Sequence, residues 1–376
     1  MGLHLGFAFW EGASLIRSVN LEANKPIGRL VVKLGTGVLT DAKKQPDLGQ
    51  LEQLVAQVAR EHKAGREVVI VTSGAVGAGM GVLGYDKRPA TLDALQACAA
   101  IGQSRLMSTY ERLFSKHGLN VAQVLLTHDD LEHHERHLNA RNTLVTLLRH
   151  RVIPIINEND AVSITELKFG DNDKLSALVA CLMPADLLVI LTTVDGLIEN
   201  FGTPQARVVR SVLKIDAGVE GSAKGTTSAT AVGGMATKIQ AAKMVTRSGI
   251  PLVIASGRKS DVLSRILNAQ EEGTLFVPSR VGLKSRKRWI AFFHHPKGTL
   301  QVDEGAKKAL RERGTSLLAP GIQKVEGGFQ EGDVVRVCDA DGTEFARGIT
   351  RCAAVECQGT QPVRKVVIHR DDLVVL

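Results

Sequence analysis

RLVVKLGTG, residues 29 to 37, opens a series of short apolar runs that fixes the class of fold. REVVIVTS (66 to 73), RVIPIIN (151 to 157), DLLVILT (186 to 192) and IPLVIAS (250 to 256) continue it. Each run is nearly unbroken in apolar residues, the pattern of a strand covered on both faces. Between them lie stretches with helical periodicity: Leu48 to Ala64, Leu92 to His117, Asn139 to His150, Lys174 to Met183 and Met235 to Ser248. Glycines 65, 118 and 249 close three of these. Repetition of strand, helix and strand predicts parallel pairing with right-handed crossovers. The fold expected is therefore α/β, a mostly parallel sheet sandwiched by helices.

Beyond Pro278 the texture changes. Residues 280–297 read as a basic linker, because Arg280, Lys284, Arg286, Lys287 and Arg288 come with no acid among them. Residues 298–376 read as a small β-rich domain: TLQVD, GDVVRVCD, TEFARGITR and DDLVVL are separated by turns such as Asp341-Gly342, with one short helix near Gly305 to Arg313. The α/β domain then spans 26–279. Residues 1–25 form an N-terminal extension; MGLHLGFAFW is apolar but has no basic segment before it, and Glu11 interrupts before any small-residue cleavage site.

Composition narrows the function. The 376 residues are 44% hydrophobic and 23% charged, an ordinary globular balance that excludes disorder as the main state. No window approaches the roughly 18 uninterrupted apolar residues of a membrane-spanning helix. The 47 bases against 39 acids, a net charge of +8, suit anionic partners such as nucleotides, phosphorylated metabolites or RNA. The 10 Phe, 2 Trp and 2 Tyr supply a base-stacking platform poorly, which favours small anions. The five cysteines, at 98, 181, 338, 352 and 357, are odd in number and include no C-x-x-C pair. This reads as a reducing, cytoplasmic setting.

In open α/β sheets ligands bind beyond the carboxyl ends of the strands, so the residues following each run are the candidates. Lys33 sits within an apolar strand, where an ammonium is costly unless paired, and Gly35, Thr36 and Gly37 follow it. Glycines there let backbone N–H groups approach phosphate oxygens. Ser73 and Gly74 end the second run and could present N–H groups to a carboxylate or phosphate. Asn157-Glu158-Asn159-Asp160 and Gly170-Asp171-Asn172-Asp173 cluster acids and amides within 17 residues, more than helix capping explains. The loop GTTSATAVGGMATK, residues 225 to 238, delivers Lys238 to the first turn of a helix, as a nucleotide-phosphate clamp would.

Two patterns are set aside. Gly79-x-Gly81-x-x-Gly84 has the form of a dinucleotide fingerprint but follows the second strand, and no acid stands about 20 residues on, near Ser104. An oxidoreductase built on it is thus disfavoured. His133-His134-Glu135-Arg136-His137 fails the H-E-x-x-H zinc pattern because Leu138 stands where the second His belongs, and reads as a polar surface helix. No G-x-x-x-x-G-K-[ST] loop occurs.

Taken together, VVKLGTG, VIVTSGA, PIINENDAV, FGDNDKLSALVA, LLVILTTVDGL and GGMATK resemble the amino acid kinase family, and the tail from LQVDEGAKKALRERG to HRDDLVVL resembles the PUA domain. The resemblance implies the amino acid kinase fold and ATP-dependent phosphorylation of the side-chain carboxylate of L-glutamate, the first step of proline synthesis. It implies Lys33 and Lys238 as phosphate-stabilising lysines and Asp173 as the residue that orients them. Ser73, Gly74, Asp160 and Asn172 would bind glutamate. Lys33, Gly35, Thr36, Thr192, Thr193, Val232, Gly233, Gly234, Met235, Ala236, Thr237 and Lys238 would hold ATP with its Mg²⁺, with no metal ligand from the protein. It further implies proline as feedback inhibitor, a homo-oligomer (dimer or tetramer), and glutamate-5-semialdehyde dehydrogenase as functional partner. Another amino acid kinase, such as one acting on aspartate, or an RNA-binding protein working through the PUA domain and its +5 charge, are the competing readings.

Overall fold

The structure, a computed structural model, describes residues 27–41, 46–162, 172–224, 234–279, 282–283, 285–357 and 365–376. The extension at 1–25, Gly170 and Asp171, Val232 and Gly233, and Arg280 and Lys284 lie outside the described residues. The chain divides into two compact units, Met1–Gly282 and Leu283–Leu376.

The first unit carries strands β1 (Arg29–Leu34), β2 (Glu67–Val71), β3 (Val121–Leu126), β4 (Ile153–Glu158), β5 (Leu187–Thr192), β6 (Ile198–Glu199), β7 (Arg207–Val208), β8 (Ser211–Val212), β9 (Leu252–Ser256) and β10 (Thr274–Phe276). Eight of them form one sheet in the order β3-β4-β2-β1-β5-β9-β10-β8, while β6 and β7 pair separately. From β3 to β9 every pairing is parallel, as the alternation of strands and helices predicts. β10 breaks the pattern: it runs antiparallel to β9 and parallel to β8. Gly273 makes this return possible, since it holds φ at 74° and a Cβ there would lie 2.1 Å from Ile254 O. β3 has no counterpart among the unbroken apolar runs, because VAQVLL lies at the sheet edge with Gln123 exposed.

The main helices, Leu48–Lys63, Leu92–Ser115, His134–Arg149, Asn172–Leu182 and Met235–Arg247, fall close to the expected spans, the third beginning earlier. Side chains alternate across a strand. Leu30, Val32 and Leu34 of β1 join Val68 and Ile70 of β2 in a core with Leu54 and Val58, Tyr110 and Phe114, and Val262 and Ile266 from three helices. Val31 and Lys33 therefore point to the opposite face, where helix Asn172–Leu182 lies against β1, β2, β4 and β5. This parity aims Lys33 at the helix that carries Asp173.

Two of the three glycines of the fingerprint pattern, Gly79 and Gly84, have structural work. Helix Ala75–Leu83 packs against Leu92–Ser115 so closely that a Cβ on Gly79 would sit 1.8 Å from Cys98 O, and one on Gly102 would sit 1.7 Å from Ala75 O. Gly84 ends its helix at φ 72°, a left-handed cap.

In the second unit, β11 (Gly298–Val302), β12 (Leu317–Leu318), β13 (Ile322–Gly327), β14 (Val334–Cys338), β15 (Glu344–Thr350) and β16 (Val366–Val375) form a six-stranded sheet in the order β12-β16-β15-β14-β11-β13. Its core includes Leu300, Leu310, Phe329, Val337, Phe345, Cys352 and Cys357. Asp303 caps the helix Glu304–Arg313 by accepting from Ala306 N at 2.7 Å. Within the span read as basic linker, Ser285–Phe292 is a helix: Ile290 and Ala291 are buried against Val334 and Val374, and only part of its basic face is open to solvent.

Candidate active site

The carboxyl ends of β1, β2, β4 and β5 lie side by side at the middle of the sheet and carry most of the candidate residues. At their centre is Asp173, 1% exposed, in the first turn of helix Asn172–Leu182. Lys33 Nζ lies 2.6 Å from Asp173 Oδ1, and Lys238 Nζ lies 3.0 Å from Oδ2. Both lysines are buried, at 6% and 5% exposed. Two residues 205 positions apart in the chain thus close on one carboxylate. Burial pushes the Asp173 carboxyl up, but the Lys33 and Lys238 ammoniums beside it win and hold it down at about 2, from 3.8. Thr237 braces the same group, its hydroxyl 2.7 Å from Asp173 Oδ2 and 2.9 Å from Gly234 O.

The GTG turn works differently from the expectation that its amides meet phosphate. Gly35 N donates to Leu191 O at 3.1 Å, tying the end of β1 to β5, so its own N–H is already engaged. What Gly35 offers is closeness: a Cβ would lie 3.2 Å from Leu191 O and 3.5 Å from Lys33 Nζ. Thr36 opens a short helix, Thr36–Leu39. Gly37 leaves room for Thr193, whose Cγ2 would be 2.9 Å from a Cβ at 37. Thr192 closes β5 and accepts from Gly257 N at 2.9 Å, while Thr193 is exposed just past it. Gly234, Met235, Ala236 and Thr237 lead into Lys238 at the start of helix Met235–Arg247.

A second network borders the charged one. Asn172 Nδ2 donates to Ser73 Oγ at 2.9 Å and lies 3.1 Å from Asn157 Oδ1. Asn157 Nδ2 in turn donates to Gln103 Oε1 at 2.8 Å. All four side chains are buried. Gly74, at φ 102°, turns the chain from Ser73 into helix Ala75–Leu83. Asp160 stands partly exposed in the turn after β4, and Glu158 Oε2 lies 3.8 Å from His128 Nδ1. His128 is thus half-buried beside Glu158, while His133 and Arg136 remain on the surface. Gln103 was not singled out by sequence reasoning. Its signal was available: it interrupts the helical stripe Leu95, Ala99, Leu106, Tyr110 with an amide.

Among the described residues no three His, Cys, Asp or Glu side chains converge as metal ligands, and both Asp173 oxygens face ammoniums. With both Asp173 oxygens engaged by lysines, the described side chains would leave Mg²⁺ to the phosphates of a bound nucleotide.

A buried carboxylate between two lysines at the carboxyl ends of a mostly parallel sheet sets two ammoniums where an anionic group can be met. The description "Amino acid kinase family" matches residues 28–256, and "PUA domain" matches residues 298–369. A glutamate 5-kinase of Geobacter sp. (strain M21) is 48% identical over 370 residues, covering 94% of this chain and 99% of that protein. Another, of Geobacter sulfurreducens, is 47% identical over 365 residues, covering 93% and 98%. A solved carbamate kinase from Giardia lamblia, bound to AMP-PNP, aligns with a TM-score of 0.49 at 20% identity, covering 67% of this chain and 99% of its own. The chain belongs to the amino acid kinase family and, within it, to the glutamate 5-kinases with a C-terminal PUA domain.

Proposed function

We infer that the chain acts as its glutamate 5-kinase relatives are named: it transfers the γ-phosphoryl group of ATP to the side-chain carboxylate of L-glutamate, the first step of proline biosynthesis. The observation that carries this reading is Asp173 held between Lys33 and Lys238. A glutamate carboxyl, with a pKa of about 4.3, is already ionised at neutral pH, so the nucleophile needs no general base. The barrier lies in bringing that anion to a polyanionic donor, and in-line phosphoryl transfer depends on positioning and charge stabilisation. Lys33, fixed on a strand, and Lys238, fixed on a helix, supply two ammoniums, and Asp173 sets the distance between them. A carboxylate oxygen attacks the γ-phosphorus, the bond to the ADP oxygen breaks, and the product is a mixed acyl phosphate.

Ser73, Gly74, Asn172 and Asp160 would bind glutamate, with Asp160 taking the α-ammonium. Gly35, Thr36, Thr192, Thr193 and residues 232–238 would hold the nucleotide, which brings Mg²⁺ on its own phosphates. Proline inhibition, self-association and a functional link to glutamate-5-semialdehyde dehydrogenase belong to the same reading, as do the domain limits 26–279 and 298–376. They rest on the family resemblance.

Purified full-length chain with Mg-ATP, L-glutamate and hydroxylamine should form the hydroxamate of an acyl phosphate. Lys238→Ala should lower kcat by two orders of magnitude or more, the loss of about 3 kcal/mol expected when one charge-stabilising donor is removed. Turnover of aspartate in place of glutamate, or near-normal kcat in Lys238→Ala, would overturn the reading.

A further inference from the structure

We propose that Cys352 and Cys357, in the C-terminal unit, are a modification site: a thiol pair that closes to an intramolecular disulfide on exposure to a small disulfide oxidant such as oxidised glutathione. Their Sγ atoms lie 2.8 Å apart. A disulfide bond is about 2.05 Å long, so bonding requires a shift of roughly 0.8 Å. The spacing is C-x-x-x-x-C, which the C-x-x-C pattern misses, and the fold makes the meeting.

Backbone bonds hold both sulfurs in place. Cys352 follows β15, where its N donates to Thr350 Oγ1 at 3.2 Å and Thr350 Oγ1 donates to its carbonyl at 2.8 Å. Cys357 ends the short helix Ala354–Cys357, with its N donating to Ala353 O at 3.3 Å. Ala354 N donates to Phe329 O at 2.9 Å, which ties the turn to the core. Cys352 is 1% exposed and Cys357 9%, so Cys357 is the more open residue of the pair. Of the other three cysteines, Cys98 and Cys181 belong to the first unit, and Cys338 shares the C-terminal unit.

The exchange balances without a further reactant. The Cys357 thiolate attacks one sulfur of oxidised glutathione and expels a glutathione thiolate. The Cys352 thiolate then attacks Cys357 Sγ and expels the second. The two protons lost from the cysteines go to the two glutathione thiolates, and the protein pair is oxidised by two electrons. Burial, and after it the neighbouring Cys352, push the Cys357 thiol up to about 12. The thiolate fraction at neutral pH is therefore small. Once closed, the bond pins the turn Ala354–Cys357 to the end of β15 through a ring of few residues.

The test uses the full chain, incubated with oxidised glutathione and then alkylated under denaturing conditions for intact mass and peptide mapping. Expected are three alkylated cysteines in place of five, a peptide linking Cys352 to Cys357, and return to five after dithiothreitol. Cys338→Ser should give the same linked peptide with one thiol fewer. Five alkylated cysteines after oxidation, a loss that maps to Cys98, Cys181 or Cys338, or a stable glutathione adduct at Cys357 would each overturn the proposal. So would a Cys352→Ser variant that still loses two thiols. Mapping of the unsubstituted chain decides the matter alone should either variant fail to fold.

Discussion

Replacing Asp173 by Asn keeps the shape of the side chain and removes the charge that both lysines touch. The depression of its carboxyl from 3.8 to about 2 measures what the ionised form gains in the folded chain after its burial is accounted for. At ~1.36 kcal/mol per unit that is about 2 kcal/mol. The substitution also leaves two ammoniums buried without their counter-charge, and breaking a buried ion pair from one side typically costs about 3–5 kcal/mol. The apparent Tm of the kinase unit should fall by roughly 6–20 °C, at about 2–4 °C per kcal/mol for a domain of this size. ATP offers the lysines a substitute anion, so saturating ATP should raise the Tm of Asp173→Asn more than that of the unsubstituted chain. In the hydroxamate assay kcat should drop at least ~100-fold, because Lys33 and Lys238 lose the group that sets their spacing. A variant that melts within about 1 °C of the parent, gains no more from ATP and keeps its rate would refute the reasoning.

The same carboxyl fixes a pH window. Its folded value is depressed, so its contribution to stability is complete above 3.8 and is lost as the pH falls through about 2. The stability difference between parent and Asp173→Asn, followed by urea titration, should be flat from pH 8 to 5 and should close only in strong acid; narrowing near pH 6 would contradict this. Gly79→Ala and Gly81→Ala, two glycines of one formal motif, should move stability in opposite directions. The first drives a methyl to 1.8 Å from Cys98 O and should cost about 3 kcal/mol or more, while the second meets nothing within 4 Å in a helix and should gain about 0.5–1 kcal/mol. Equal melting temperatures for the two would count against the helix packing described. Gln103→Leu strips the acceptor from Asn157 Nδ2 and leaves a buried donor unmatched, a loss of about 1–2 kcal/mol. It should lower kcat/KM for glutamate about 5- to 30-fold with KM for ATP unchanged; a change confined to ATP would move Gln103 away from the acceptor side.

The parallel half of the sheet was legible because its strands are buried on both faces and read as unbroken apolar runs. β3 was not, since an edge strand with Gln123 exposed loses that signature, and neither was β10, whose reversal depends on a glycine at 273 meeting β9 in space. Lys33 stood out because an ammonium within an apolar strand must have a partner, and Asp173 because it belongs to a cluster of acids and amides larger than helix capping explains. Which partner is a tertiary fact. Nothing local says that Lys238, delivered by a glycine-threonine loop, meets the far oxygen of the same carboxylate that Lys33 meets. Gly35 shows the opposite limit. Its place after Lys33 suggests an amide aimed at phosphate, yet the neighbouring strand takes that amide, and only the packing of β5 against β1 decides this.

The charge count at the centre has a consequence for the chemistry. Among the described residues two ammoniums meet one carboxylate in a place nearly closed to water. A second carboxylate would cancel the pull on an incoming phosphoryl group, and with none the two like charges would have to be buried against each other. In the proposed transfer, one acid between two bases would keep both lysines aimed while preserving a field that grows in value as negative charge builds on the transferring group. The arrangement also explains why the acceptor must bring its own negative charge. The described site sets no general base beside the lysines, so a hydroxyl acceptor would keep its proton, whereas a carboxylate arrives ready to attack. In the proposed transfer the three charged side chains would supply the charge stabilisation, and the uncharged amide network from Gln103 to Ser73 would set the length of the acid that fits.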